Sequence, residues 1–132
     1  MKEFLGEDFL LDNEVGKRLY EQHAKKMPIF DFHCHLIPEQ IADDYHFSSI
    51  TEAWLGANGY GDHYKWRLLR EFGVAEEYIT GKKSDWERFE KYAEVIPYMV
   101  GNPVYEWTHL ELKEYFGITK PFSKATAKEI YA

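Results

Sequence analysis

Apolar residues recur at three- and four-residue steps along most of the chain, and Gly, Pro and capping residues cut the pattern into short helical pieces. "DNEVGKRLYEQHAKKM" sets Val15, Leu19, His23 and Met27 at four-residue steps. The spacing predicts a helix with Asp12 or Asn13 as N-cap and lysines in its last turn. Gly16 weakens that helix by up to ~1 kcal/mol relative to Ala, and Pro28 stops it, having no N–H and clashing with the preceding turn. "IFDFHCH" follows, short and rich in β-branched and aromatic residues, and predicts a strand near 28–35.

Beyond Pro38 the helical period returns. "PEQIADDY" opens with Pro at the first helical position. "SITEAWLG" has a capping-box spacing, Ser49 with Glu52, and closes at Gly56. "DHYKWRLLREFG" takes Asp62 as N-cap, Tyr64, Leu68 and Phe72 as one face, and Gly73 as terminator. "SDWERFEKYAEVI" repeats the capping box with Ser84 and Glu87, and turns Trp86, Phe89, Ala93 and Ile96 inward. "NPVYEWTHLELKEYFG" runs from an Asn102–Pro103 start to a Gly117 stop. The last segment, "SKATAKEIYA", begins like a helix at Ser123 and has neither a Gly, Asn or Pro stop nor a basic last turn.

The inventory is therefore mostly α: six or seven helices and one short strand. A lone strand cannot satisfy its own backbone donors and acceptors. Its partners are expected beyond residue 132, which agrees with a chain cut inside its last helix; a frayed natural terminus would look the same.

The strand gives the histidines their interest. Residues i and i+2 of a strand share a face, so His33 and His35 would project together while Cys34 points away. Two imidazoles on one rigid face make half of a zinc-type site, since structural zinc takes four protein ligands and catalytic zinc usually three. Asp31 lies on the same face and would orient one ring; two plain surface histidines at a strand rim are the alternative. "GDHYKWR" places His63 and Tyr64 in a first helical turn, where free N–H groups favour an anion, or else Tyr64 and Trp66 pack inward and His63 and Arg67 face water. Glu106 and His109, three apart on a helix, have the spacing of a carboxylate metal site, although their aromatic neighbours suggest packing. His23 and His46 read as ordinary helix and loop residues.

Composition narrows the classes. The 132 residues suit one modest domain, 45% hydrophobic and 30% charged. No stretch approaches the ~20 apolar residues of a membrane span, and the acidic N-terminus lacks the basic head of a signal peptide. The net charge of −7, from 16 basic and 23 acidic residues, argues against nucleic acid as a partner. A single cysteine fits a reducing compartment, so a cytoplasmic protein is expected.

Taken in order, "EDFLL", "AKKMPIFDFHCHLIPEQIADD", "GDHYKWRLLREFGV", "ITG" and "GNPVYEWTHLEL" resemble the N-terminal portion of uronate (glucuronate) isomerases of the amidohydrolase superfamily. The resemblance covers almost the whole chain. It implies a parent α/β fold, a distorted (β/α)8 TIM barrel whose first strand ends in His-x-His and is followed by an all-helical insertion. Residues 1–37 would hold the first helix and first barrel strand, and 38–132 the insertion, incomplete at its C-terminal end. The implied reaction interconverts D-glucuronate and D-fructuronate, and D-galacturonate and D-tagaturonate, in hexuronate catabolism by C2-to-C1 proton transfer. The resemblance makes His33 and His35 ligands of a metal, usually zinc, makes His63 and Tyr64 substrate-binding, and gives Tyr64 a part in proton movement. Since the family's other metal ligands and its substrate arginines come later in the fold, the isolated chain is expected to be inactive and to hold zinc weakly. The ligand is then a small uronate sugar, and a homo-oligomer is open. Two alternatives remain at this point: a metal-dependent amidohydrolase-type hydrolase fragment, and a non-enzymatic, stand-alone helical binding domain.

Overall fold

The computed structural model describes residues 4–132, which divide into two compact units, one ending at His35 and the other spanning Leu36–Ala132. In the first unit, helix α1 (Glu14–Gln22) begins where the Gly16 N–H donates to the Asn13 Oδ1 atom at 2.8 Å. It ends earlier than its apolar period suggests. A 3-10 turn over Ala24–Lys26 replaces the last turn, and Met27 is already extended (φ −79°, ψ 141°). The residue before a proline is sterically driven from the α region, so Pro28 acts on its predecessor as well as on itself. No residue of α1 is buried.

The expected strand near 28–35 is absent, and no strand occurs among the described residues. Pro28–His35 has no regular secondary structure, and Ile29, Phe30 and Phe32 are 86–95% exposed. A strand exists through its ladder; without a partner to take its N–H and C=O groups, β-favouring side chains alone do not make one.

The second unit contains a core of its own. Six helices lie along it: α2 (Pro38–Ala42), α3 (Ile50–Leu55), α4 (His63–Glu71), α5 (Asp85–Val95), α6 (Pro103–Phe116) and α7 (Ala127–Tyr131). Short 3-10 turns occupy Glu76–Tyr78 and Ile96–Met99. Helix α5 is central and packs against α3, α7 and the Ile96–Met99 turn. It starts on a complete capping box: the Ser84 hydroxyl accepts from the Glu87 N–H while the Glu87 carboxylate accepts from the Ser84 N–H.

At Ser49 only half of that motif forms. The Glu52 N–H reaches the Ser49 hydroxyl, but the Glu52 carboxylate accepts from the Ser48 N–H, the Ser48 hydroxyl and the Tyr45 hydroxyl. Ser49 instead donates to Asp85, and the buried Thr51 hydroxyl donates to the Asp85 carbonyl at 2.8 Å, joining the starts of α3 and α5. The turn after α3 demands glycine at Gly56: φ is +72°, and a Cβ there would meet the Tyr60 carbonyl oxygen at 1.6 Å.

Phe89 of α5 lies among the rings of Trp54 (5.9 Å between centroids), Phe122 (4.9 Å), Tyr131 (5.0 Å) and Trp86 (6.4 Å). Beside it the Thr108 hydroxyl donates to the Val104 carbonyl, so the fully buried Tyr92 hydroxyl is the donor in its 2.6 Å bond to Thr108. Arg88 is buried and donates to the carbonyls of Leu55 (3.0 Å) and Ile79 (2.8 Å), tying α3 and the Glu76–Tyr78 turn to α5. Burial lowers its pKa, with Asp85 opposing.

In the second unit one buried face and one helix start differ from the sequence pattern. Helix α4 buries Lys65 and Leu69, with Trp66 and Leu68 packed on the core, whereas Tyr64 and Phe72 are 47% and 46% exposed. The Trp66 indole N–H donates to the Leu55 carbonyl at 2.8 Å, which turns the helix by one residue from the face that Tyr64, Leu68 and Phe72 mark. Helix α7 starts at Ala127 rather than Ser123, because Ser123 and Thr126 close a separate turn in which the Ser123 carbonyl accepts from the Thr126 and Ala127 N–H groups.

Candidate functional site

His33 and His35 converge. Their Nε2 atoms are 3.1 Å apart, and the rings lie at 61° with centroids 5.2 Å apart. Both are exposed. Zn–N bonds of about 2.0–2.1 Å at a tetrahedral angle place two ligand nitrogens roughly 3.3 Å apart, so this pair has the spacing of two corners of a metal tetrahedron. The fit stops at two: no group of three or more His, Cys, Asp or Glu residues suited to a metal occurs among the described residues. Asp31 is turned to its own backbone, accepting from the His33 N–H at 3.2 Å. Cys34 is an exposed free thiol.

His63 and Tyr64 form the first turn of α4. Their rings lie 4.4 Å apart at 31°, and the Arg67 guanidinium sits 5.6 Å over the Tyr64 ring. All three side chains are exposed. The backbone at this helix start already has its anion: Asp62 Oδ1 accepts from the N–H groups of Tyr64 (2.9 Å) and Lys65 (3.3 Å). What the turn offers a ligand is therefore the imidazole, the phenol and the guanidinium rather than open N–H groups. Tyr64 does not pack inward, whereas Trp66 does.

Below these exposed rings lies a charge cluster that the apolar pattern hides. Lys65 is 4% exposed, and its ammonium donates to Asp62 Oδ2 at 2.9 Å, lies 3.9 Å from Glu111 Oε1 of α6 and 5.9 Å from the Trp54 ring centre. Burial pulls the Asp62 carboxyl up, but the Lys65 charge and the hydrogen bonds from Lys65 and Tyr64 outweigh it and hold it below the usual range. Burial pushes the Glu111 carboxyl up, with Lys65 opposing. The only sequence sign of the cluster is the i,i+3 spacing of Asp62 and Lys65; nothing in the chain marks Glu111 as their neighbour.

His109 has no lone pair left for a metal. It is 2% exposed; Nδ1 donates to the Tyr105 carbonyl at 2.7 Å and Nε2 accepts the Phe122 N–H at 2.9 Å. The two bonds demand the neutral, Nδ1-protonated ring. Burial lowers its pKa, opposed by the Tyr105 bond. Below about pH 6.5 the unfolded chain binds a proton that the folded chain resists. Folding stability should fall as pH drops from about 6.5 toward the lowered folded-state value. Urea unfolding at pH 7 and pH 5 tests this: the loss should be smaller in His109→Gln, and an equal loss in both proteins would clear His109 of the effect.

All 132 residues match the family model described as glucuronate isomerase. The uronate isomerase of Bacteroides thetaiotaomicron is 60% identical over 132 residues, 99% of this chain and 27% of that protein. That of Clostridium perfringens is 53% identical over 131 residues, with the same shares covered. The crystal structure of uronate isomerase from Thermotoga maritima superposes with a TM-score of 0.86 at 44% identity, covering 98% of this chain and 28% of that one. Each of these three proteins is an isomerase by name, and the match runs through both units and every site residue above. The chain belongs to the glucuronate isomerase family. It spans about a quarter of the length of the curated relatives it matches.

Proposed function

We propose that this chain is the N-terminal portion of a uronate isomerase that interconverts D-glucuronate and D-fructuronate, and D-galacturonate and D-tagaturonate. The observation that carries the reading is the whole-length family match, joined by the convergence of His33 and His35 at 3.1 Å. In the full-length enzyme the segment 28–35 becomes the first strand of a (β/α)8 barrel, supplied with neighbours by the rest of the chain, and residues 38–132 stand as an insertion after it. The exposed Ile29, Phe30 and Phe32 agree with a segment that is buried only in that larger fold.

His33 and His35 would hold a zinc ion through Nε2, each ring keeping its proton on Nδ1, with the remaining ligands drawn from outside these 132 residues. When bound, the ion supplies a positive charge that favours oxyanion forms of the sugar. His63 offers a hydrogen bond to a hydroxyl or carboxylate of the uronate. Tyr64, exposed and reachable, holds or passes the proton that is exchanged between C2 and C1. The net charge of −7 agrees with a cytoplasmic enzyme that does not bind nucleic acid, and no helix among the described residues is long and apolar enough to cross a membrane.

A coupled assay on D-glucuronate tests the reading. The full-length enzyme should turn over, the isolated 132-residue chain should not, and Tyr64→Phe should lower kcat by about 10²–10⁴-fold. Turnover by the isolated chain, or a Tyr64→Phe enzyme as fast as its parent, would reject it. The hydrolase and binding-domain alternatives have no comparable observation on their side.

A further inference from the structure

Lys65 is in an unfavourable place twice over. A cation in the first turn of a helix opposes the helix dipole, and an ammonium taken from water loses solvation that an ion pair restores only with good geometry. Capping does not call for it, because the Asp62 carboxylate already receives the N–H groups of Tyr64 and Lys65 through one oxygen. The lysine occupies the other oxygen at 2.9 Å and reaches toward Glu111 of α6, under the face of Trp54 from α3. Lys65, which follows His63 and Tyr64 in the chain, is thereby tied to two other helices, and Asp62, which precedes them, is tied to Lys65. A first helical turn normally frays; this one is held on both sides of the exposed ring pair.

We propose that Lys65, braced by Asp62 and Glu111, is a positioning residue that sets the direction of Tyr64, and with it His63, toward the substrate. The inference rests on the reading of His63 and Tyr64 given above. Lys65 touches neither the substrate nor the reacting atoms; it acts through the turn that carries them. A misplacement of about 1 Å in a group that moves a proton lowers turnover on the order of 10²-fold, so a modest loosening of this turn has a visible kinetic effect.

The test uses the full-length enzyme. Lys65→Met combined with Glu111→Leu removes the buried ammonium and the half-buried carboxylate together and leaves Asp62 as the N-cap. The double substitution should lower kcat by about 10–100-fold with an unchanged metal content. A merely structural role would act independently of Tyr64. The same pair is therefore introduced into the Tyr64→Phe background, where a positioning role leaves almost nothing further to lose, about 2-fold or less. Equal losses in the two backgrounds, or no loss in the parent, overturn the proposal. If the double variant gives no cooperative melting transition, Glu111→Gln is measured instead. It keeps the side-chain shape and removes one charge; a drop in kcat that disappears in the Tyr64→Phe background supports the proposal, and an unchanged kcat overturns it. The failure of the parent reading has its own signature, since Tyr64→Phe alone would then leave turnover unaltered.

Discussion

Alanine in place of His33 or His35 should strip the metal from the full-length enzyme and lower kcat/KM by about 10³-fold or more. On the proposed reading each histidine would supply one metal ligand, and their Nε2 atoms, 3.1 Å apart, have a spacing that suits two ligands of one ion. A site that loses one of its few protein ligands loses both affinity and the fixed charge next to the sugar oxygens. Metal analysis of purified protein reads the first effect without reference to activity. The parent should carry close to one equivalent of zinc and either variant well under half of that. His46→Ala is the control, because His46 is an exposed residue beside Asp44 at 3.7 Å; it should change neither quantity. Full zinc occupancy in both the His33→Ala and His35→Ala proteins would remove the histidine pair from the metal site.

The second large effect falls on stability. Phe89→Ala should cost about 3–5 kcal/mol, a large share of the ~5–15 kcal/mol that holds a domain together. Phe89 is 1% exposed, and the rings of Trp54, Trp86, Phe122 and Tyr131 surround it. These rings come from three helices and the loop before α7, and they cannot all close on the space one benzyl group leaves. Urea unfolding of the 132-residue chain should show a sharply lowered midpoint or no cooperative transition. By contrast Tyr98→Ala, at a side chain 75% exposed, should shift the midpoint little. Similar midpoints for Phe89→Ala and the parent would place the centre of the core elsewhere.

Local signals in the sequence served well where the interaction they describe is itself local. Asn13, Ser49, Asp62, Ser84 and Asn102 all cap the helices they precede, because an N-cap bonds to a backbone only two or three residues away. Gly117 ends α6 in the left-handed conformation for the same reason. The resemblance in "GDHYKWRLLREFGV" and "GNPVYEWTHLEL" points to the family, whereas His33 and His35 meet without the strand that was expected to put them on one face.

What the sequence did not carry depends on partners distant in the chain. The run at Pro28–His35 has the composition of a strand but no ladder, and β-structure is a property of the pair. The buried face of α4 was misplaced by one residue, since an indole bond to Leu55 and an ion cluster with Glu111 choose it. His109, whose aromatic neighbours already suggested packing rather than a metal site with Glu106, is a strut between α6 and the backbone of Phe122, a partner that the sequence does not mark. The sequence by itself determined the helix limits set by caps, the family and the identity of the candidate ligands, all of which are encoded in short windows. Only the tertiary structure decided which faces are buried, which charges are paired and which imidazoles keep a lone pair. Those outcomes follow from the competition between desolvation and the partners that folding brings within reach.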